Sequence, residues 1–314
     1  MKNSTVMIAL GGNSLSPKGK TGSIEDQFNQ TRKTMDGLSN FIDLNYNICI
    51  THGNGPQVGN ELLRMDLTND VVPPLPLGIC VANTQGQIGY MVQQTLQNKL
   101  RQIKVDREVV TLVTQVLVDK NDKSIKNPTK FVGARYTKKK IDKLAKKLNW
   151  NVKEQEPGLW RRVVPSPMPE YIMHGKSIKA LVDRGTIVIA FGGGGIPVFN
   201  NNENQIEGLD AVIDKDFSAA KMGRIIRAQE LWIISDIDYL YRNFDTENAT
   251  PIKEIYTKEL KSLYNRKIFQ EGTIKPKIKA ALHFLKHHGD KVIITSIDKI
   301  KSAIEKKSGT IIRN

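Results

Sequence analysis

Cysteine is scarce in this 314-residue chain, which contains only Cys49 and Cys80. Two isolated thiols provide neither a disulfide framework nor the spacing of a metal site. Cys49 also lies within an apolar run, a setting typical of a small buried side chain rather than of a nucleophile. We therefore expect no thiol chemistry.

Long apolar runs are missing as well. The first apolar run after the N-terminus spans about five residues, which is too short for a secretory signal or for a membrane-spanning helix. The sequence therefore predicts a cytoplasmic protein with no membrane partner.

Acidic residues are outnumbered, because 32 Asp and Glu stand against 47 Lys and Arg, for a net charge of +15. Such a balance suits nucleic acid, an acidic membrane or a phosphorylated small molecule as partner. The densest basic run, Lys138–Lys147, has apolar residues at helical spacing, which predicts an amphipathic helix with a solvated lysine face. No RNA-binding aromatic motif accompanies it, so we expect no nucleic-acid partner.

A P-loop, the phosphate-binding motif Gly-x-x-x-x-Gly-Lys-Ser/Thr, is also absent. The two candidate Gly-Lys-Thr/Ser triplets begin at Gly19 and Gly175, and the glycine required five residues earlier is Ser14 in one case and Glu170 in the other. These mismatches argue against a P-loop kinase.

Three glycine turns are present instead, each after a short apolar run that predicts a buried strand. They are Gly11-Gly12-Asn13, Gly53-Asn54-Gly55 and Gly192–Gly195. A strand, a glycine turn and a helix start bring free backbone N–H groups together, and such a group of donors favours an anion such as phosphate. One turn of this kind is common, but three in the same structural role predict a phosphate-binding crevice.

Apolar runs that alternate with amphipathic helical patterns predict an α/β fold, a three-layer αβα sandwich with an open, mostly parallel sheet. Within it, residues 109–118 read as one strand and residues 172–184 as one helix. We expect residues 1–314 to form a single domain. Residues 119–167 are polar, basic and rich in turns, which predicts an inserted, protruding subdomain that acts as a lid.

No nucleophile–base constellation is evident, and phosphoryl transfer fits the composition better. That reaction needs mainly positioning and neutralisation of negative charge, which glycine-turn amides and lysines supply. Three lysines stand out for their settings: Lys215 lies between two aspartates, Lys277 lies at a predicted helix start, and Lys130 lies in the predicted lid.

Eight segments, in order along the chain, carry a resemblance to a known family. They are Ala9–Asn13, Thr51–Gly59, Gln85–Tyr90, Thr114–Lys120, Asn127–Lys130, Trp160–Pro167, Gly192–Pro197 and Ala211–Asp216. Together they resemble the motifs of carbamate kinases, within the amino acid kinase superfamily, and the second and sixth segments are specific to carbamate kinases there. The resemblance covers essentially the whole chain.

The resemblance implies a homodimer that transfers a phosphoryl group between carbamoyl phosphate and ADP. The products would be ATP and carbamate, which decays to ammonia and carbon dioxide. Mg²⁺ would accompany ADP or ATP on the nucleotide phosphates and would have no protein site of its own. In this family the reaction is often the last step of arginine fermentation through arginine deiminase.

The resemblance also implies roles for individual residues. The groups that hold the phosphoryl and carbamoyl moieties would be Gly11, Gly12, Asn13, Gly53, Asn54 and Gly55. Lys215 and Lys277 would neutralise the transferred phosphoryl group, with Asp216 orienting them, and Lys130 would act from the lid. The nucleotide would be bordered by Lys215, Ser235, Asp236, Tyr241, Ile274 and Lys277.

Two departures from the family pattern fall on the nucleotide side. Family members usually read Gly-Val where this chain has Tyr239 and Leu240, and Ser-Met-Gly where it has residues 273–275. These differences bear on nucleotide contacts more than on the chemistry.

Two rival functions remain on sequence grounds. One is another superfamily kinase that phosphorylates a carboxylate or a nucleoside monophosphate. Ala9, where many superfamily members carry a lysine, argues against it. The other is a basic binding protein without kinase activity, which the net charge suggests and the glycine turns and lysines oppose.

Overall fold

The computed structural model describes residues 3–15, 22–244, 246–266, 268–269, 274–287 and 289–314. Its strands are β1 (Thr5–Leu10), β2 (Asn47–His52), β3 (Val109–Leu112), β4 (Gln115–Val118), β5 (Lys130–Tyr136), β6 (Val152–Glu156), β7 (Leu159–Val164), β8 (Pro169–Ile172), β9 (Ile187–Ala190), β10 (Ile196–Asn200), β11 (Ile206–Gly208), β12 (Glu230–Ser235), β13 (Leu240–Arg242), β14 (Thr250–Ile252), β15 (Glu254–Tyr256), β16 (Lys291–Ser296) and β17 (Thr310–Arg313).

Helices connect these strands. They are α1 (Ile24–Asp43), α2 (Gly55–Thr68), α3 (Leu77–Gln102), α4 (Lys123–Lys126), α5 (Lys138–Leu148), α6 (Gly175–Asp183), α7 (Lys215–Ile226), α8 (Thr257–Asn265), α9 (Ile274–Lys286) and α10 (Ile300–Ile304). Short 3-10 turns cover Gly12–Ser14, Gly192–Gly194 and Ile297–Lys299. No helix in the described part of the chain is long and apolar enough to cross a membrane.

The central sheet has eight strands in the order β15-β17-β16-β12-β1-β2-β9-β3. Of its neighbouring pairs, only β16 and β17 run antiparallel, so the predicted open, mostly parallel sheet is confirmed. Alternate residues of β1 face opposite sides, with Val6, Ile8 and Leu10 in one buried apolar cluster and Met7 and Ala9 in another. Both faces of the sheet are therefore covered, as the uninterrupted apolar run of this strand predicts.

The predicted single strand over residues 109–118 is wrong. The chain bends at Val113 and Thr114, so that β3 stays in the central sheet while β4 joins a smaller sheet of order β11-β10-β4-β8. The bend is stabilised by hydrogen bonds to Thr114, whose hydroxyl donates to Leu112 O at 2.8 Å and whose N–H donates to Gln85 Oε1 at 2.8 Å. The contact with Gln85 comes from α3, far away in the sequence, and a local pattern cannot predict it.

The predicted helix over residues 172–184 begins too early. Ile172 ends β8, which pairs antiparallel with β4, and the helix α6 starts at Gly175. His174, the residue before the helix, has a φ of +59°. This left-handed residue separates the strand from the helix in a segment that is apolar enough to be read as either.

The region predicted to protrude holds a separate three-stranded antiparallel sheet of order β5-β7-β6, together with α5. Strand β5 packs on α2, where Val132 joins Val58 and Leu62 in a buried apolar cluster. In α5 only Ile141 is buried, and the lysines lie mainly on the surface. This arrangement suits a lid over α2, although movement of that lid remains a prediction.

Candidate active site

The three glycine turns lie side by side because β1, β2 and β9 are neighbours in the central sheet. The carboxyl ends of parallel strands meet at one edge, which is where ligands bind in open α/β sheets. The first two turns are tied to neighbouring strand ends: Gly11 N–H donates to Ile234 O and Gly53 N–H to Leu10 O, both at 2.8 Å.

At two positions of the first and second turns, a side chain would press against neighbouring backbone. A Cβ on Gly53 would lie 3.0 Å from the backbone nitrogen of Gly12, and one on Gly11 would lie 3.0 Å from Ile234 O. The side chain of Asn13 lies outside the described part of the structure, so its predicted contact with substrate remains a prediction.

A cavity of about 320 Å³ opens beside these turns. Seven of the residues predicted to act on phosphate or to bind substrate line it: Gly53, Asn54, Gly55, Lys130, Lys215, Asp216 and Lys277. Gly11 and Gly12 lie directly behind Gly53. The structure therefore brings together segments from the lid, the second glycine turn, α7 and α9, far apart in the sequence.

A lysine–aspartate–lysine group forms one wall of the cavity. Asp216 Oδ1 lies 2.5 Å from Lys215 Nζ, and its Oδ2 lies 2.9 Å from Lys277 Nζ. Asp216 is buried, and both lysine side chains are nearly so. One carboxylate therefore fixes the positions of two ammonium groups.

The two lysines determine the direction in which the pKa of Asp216 is shifted. Burial would raise the pKa of this carboxyl, but the positive charges of Lys215 and Lys277 outweigh burial and hold the pKa far below its usual range. Burial lowers the pKa of Lys215, whereas Asp216, with further help from Asp214 and Asp236, more than offsets burial and raises the pKa of Lys277. Asp216 therefore favours the charged form of both lysines, and burial opposes it most strongly at Lys215.

Helix N-termini add to this positive field. α2 begins at Gly55, α7 begins at Lys215, and Lys277 lies in the first turns of α9, all at the cavity. Asp214 caps α7 by accepting hydrogen bonds from the N–H groups of Asp216 and Phe217. Helix N-termini carry partial positive charge and bind anions readily, so the cavity suits a phosphoryl group.

The lid contributes a second cation that the sequence analysis did not single out. Arg161 lines the cavity together with Lys130, and its guanidinium donates to Gly133 O at 2.7 Å and to Gln155 Oε1 at 3.1 Å. Strand alternation sends the next residue, Arg162, to the other side of β7, where it pairs with Asp210. The alternation of side chains along β7 was the feature of the sequence that could have identified Arg161. Which of the two arginines faces the cavity, however, follows only from the pairing of β5 with β7.

His52, next to the second glycine turn, is fully buried, and its ring forms a hydrogen bond with the backbone. Its Nδ1 donates to Gly53 O at 3.0 Å, and burial lowers its pKa to about 4. The ring is therefore neutral at physiological pH and packs on Gly192, where a Cβ would lie 2.2 Å from it. Its position indicates a structural contact between the second and third glycine turns.

The predicted nucleotide residues do not all lie together. Tyr241 and Ile274 line a small apolar cleft with Tyr239, Phe244 and Phe269, whereas Ser235 ends β12 and its hydroxyl donates to the next residue, Asp236. None of these residues lines the lysine cavity, although Lys277 is close enough for Asp236 to influence its pKa. Their contact with nucleotide remains a prediction.

No group of three His, Cys, Asp or Glu residues that could hold a metal ion occurs among the described residues. At the cavity, both oxygens of Asp216 already face lysines, and Asp214 faces backbone amides. Such a site suits Mg²⁺ only as it is commonly bound by kinases, through substrate phosphates.

Comparison with known proteins extends these observations. The model of the amino acid kinase family matches residues 4–296. The carbamate kinase of Pyrococcus horikoshii is 42% identical over 307 residues, which cover 97% of this chain and 98% of that protein.

Solved structures agree with this similarity. Carbamate kinase from Giardia lamblia bound to AMP-PNP superposes with a TM-score of 0.93 at 35% identity and covers 99% of this chain and 98% of that one. The Giardia enzyme thiocarbamoylated by disulfiram on a cysteine gives a TM-score of 0.90 at 33% identity, with 100% and 99% of the two chains covered. The likeness thus extends over nearly the full length of each chain.

Proposed function

Because this chain belongs to the carbamate kinases of the amino acid kinase family, we propose that it transfers a phosphoryl group from carbamoyl phosphate to ADP in the lysine cavity. A terminal oxygen of ADP forms a bond to phosphorus as the bond from phosphorus to the carbamate oxygen breaks. ATP and carbamate leave, and the step requires no proton transfer by the protein. The observation that supports this proposal best is the convergence of Lys130, Lys215 and Lys277 on one cavity.

In this mechanism the protein acts through position and charge. The ammonium groups of Lys215 and Lys277, held by Asp216, stabilise the phosphoryl group as it moves between two oxygens. Lys130 approaches from the lid, and no ion pair joins it to any of the described residues, so its charge is available to substrate. The backbone amides of the second glycine turn hold the carbamoyl phosphate end.

Mg²⁺, bound to the nucleotide phosphates, would neutralise part of their charge. We further propose that the protein works as a cytoplasmic homodimer and that its ATP-forming direction serves as the last step of arginine fermentation through arginine deiminase. The resemblance of the motifs supports these assignments.

The first prediction concerns activity. Purified protein is expected to form ATP from ADP and carbamoyl phosphate when Mg²⁺ is present, as measured by a coupled ATP assay. Omission of carbamoyl phosphate is the control. Absence of turnover, together with nucleic-acid binding that weakens steeply with salt, would favour a basic binding protein instead.

The second prediction concerns disulfiram. Only Cys49 and Cys80 occur in the sequence, and both are fully buried. Burial raises the pKa of the Cys49 thiol to about 12 and that of Cys80 to about 11, so neither forms appreciable thiolate at neutral pH. Disulfiram is therefore expected to leave both the activity and the mass of the folded protein unchanged.

The Giardia enzyme, treated in parallel, provides the control for reagent quality. Inactivation of this chain together with the mass of one added thiocarbamoyl group would contradict the prediction and would show that one thiol is reachable in the native state.

A further inference from the structure

Gln85, in the middle of α3, is buried and makes three hydrogen bonds to two turns outside its helix. Its Oε1 accepts from Thr114 N–H at 2.8 Å, and its Nε2 donates to Thr114 O at 3.2 Å and to Gly192 O at 3.1 Å. The side-chain amide thus joins the bend after β3 to the third glycine turn.

Three carbonyl groups in and directly before that turn accept hydrogen bonds from side chains of other elements. Phe191 O accepts from the Thr51 hydroxyl at 3.0 Å, and Gly194 O accepts from the Ser218 hydroxyl at 2.8 Å. The third, Gly192 O, accepts from Gln85 Nε2 at 3.1 Å and from Gly195 N–H within the turn at 3.2 Å. A carbonyl oxygen that turned into the cavity would repel a phosphate, so these three side chains keep the turn suitable for an anion.

Gln85 bonds to Gly192, at the start of the third glycine turn. This end of the turn lies nearest to the second glycine turn. A Cβ on Gly192 would lie 2.2 Å from the His52 ring, and one on Gly193 would lie 2.2 Å from the Asn54 amide nitrogen. Gly193 is the member of the turn that lines the cavity. A shift of Gly192 would therefore be passed to Asn54 and Gly53, which face the carbamoyl phosphate end.

We propose that Gln85 is a positioning residue for carbamoyl phosphate: through its hydrogen bond to Gly192 it keeps the third glycine turn, and hence the second, in the arrangement that receives this substrate. The inference rests on the proposed function. It assigns the residue to carbamoyl phosphate because Gly192 and Gly193 pack on the second glycine turn, whereas Lys215 and Lys277 are held by Asp216 and receive no hydrogen bond from Gln85.

The chain provides a matched control on the same helix. Gln97 makes the same kind of contacts at the other end of the sheet, where its Nε2 donates to Arg107 O and its Oε1 accepts from Val109 N–H, both at 3.2 Å. A substitution at Gln97 removes equivalent hydrogen bonds without touching a glycine turn.

The test uses Gln85→Glu, which keeps the shape of the side chain but replaces its N–H donors by an oxygen that faces two carbonyl groups. Near pH 8 the KM for carbamoyl phosphate is expected to rise roughly 10- to 100-fold. A change of this size corresponds to the loss of one hydrogen bond between the displaced glycine turns and the charged ligand. The KM for ADP should stay within about twofold, because the hydrogen bonds between Asp216 and the two lysines do not involve Gln85.

A pH series separates positioning from general damage. A buried glutamate has a raised pKa, and once protonated it donates a hydrogen bond again. The ratio of the variant KM to the wild-type KM for carbamoyl phosphate should therefore fall towards one as the pH is lowered. Gln85→Asn, whose amide cannot span both turns, should raise the same KM without this pH dependence, and it carries the test if the glutamate variant does not fold.

Gln97→Glu is expected to leave both KM values unchanged. A KM for carbamoyl phosphate at the wild-type value in both Gln85 variants, or an equal rise in the Gln97 variant, would overturn the assignment. Wild-type protein is assayed first, because a wild type without turnover would refute the proposed function rather than the role of Gln85.

Discussion

Lys215→Ala is expected to lower kcat by about 10²- to 10³-fold, the cost of removing one preorganised group that stabilises charge in a transition state. The ammonium group of Lys215 lies on the cavity wall, 2.5 Å from Asp216 Oδ1, where its charge adds to that of Lys277 on the other carboxylate oxygen. Loss of this charge leaves the phosphoryl group with Lys277 and Lys130 alone among the lysines of the cavity.

Stability should change far less than activity in this variant. Asp216 keeps its contact with Lys277 at 2.9 Å, and burial already lowers the pKa of Lys215, so the folded state gains little from its charge. The free energy of unfolding is therefore expected to change by no more than about 1–2 kcal/mol.

Lys179→Ala is the matched control, because Lys179 forms an ion pair with Asp183 on the surface of α6. Turnover in a coupled ATP assay and unfolding in urea, measured on both variants, separate the two effects. Unchanged turnover in Lys215→Ala would remove this lysine from the mechanism, and equal losses in both variants would show that the effect is not specific to the cavity.

Asp216→Asn is expected to impair both stability and activity. The substitution leaves two buried ammonium groups without their shared anion, and loss of one partner of a buried ion pair typically costs about 3–5 kcal/mol. Turnover should fall as well, because the positions of Lys215 and Lys277 depend on Asp216.

The pH dependence of this loss has a definite sign. The pKa of Asp216 is depressed in the folded state, so the carboxylate stabilises the protein above its unfolded pKa of about 3.9 and ceases to do so as the pH falls below that value. The difference in unfolding free energy between wild type and Asp216→Asn should therefore be largest near neutral pH and shrink in acid.

The alkaline side of the activity profile should also move. Asp216 is the main group that raises the pKa of Lys277 against burial, so without it a lysine loses its proton at lower pH and the decline in kcat begins earlier. Asp183→Asn, which removes a surface partner of Lys179, is the control. A variant with wild-type stability at neutral pH would refute the proposed electrostatic role of the carboxylate.

Local patterns were sufficient to predict the strands that carry the glycine turns. β1, β2 and β9 are buried on both faces, so their apolar runs are short and uninterrupted. Glycine at their ends is required by contacts such as that between Gly53 and Gly12. A close backbone contact of this kind favours glycine, and glycine after an apolar run is recognisable in the sequence.

Contacts between residues far apart in the chain could not be recognised in the sequence. Gln85 begins one of the segments that carry the resemblance, but its sequence context assigns it no contact, and only the folded chain shows that it bonds to Thr114 and Gly192. Arg161 and Arg162 look equivalent in sequence, but the pairing of β5 with β7 sends them to different sides. The bend after Leu112 was not predicted for the same reason, because the residue that bonds to it, Gln85, lies on α3.

The contact between the second and third glycine turns links two stretches whose nearest hydrogen-bonded residues, Thr51 and Phe191, are 140 positions apart in the chain. Because the His52 ring occupies the space that any side chain at Gly192 would need, position 192 cannot vary while His52 stays as it is. A substitution at Gly192, whether it arises in evolution or in a laboratory library, therefore requires a second substitution that replaces His52 by a smaller residue.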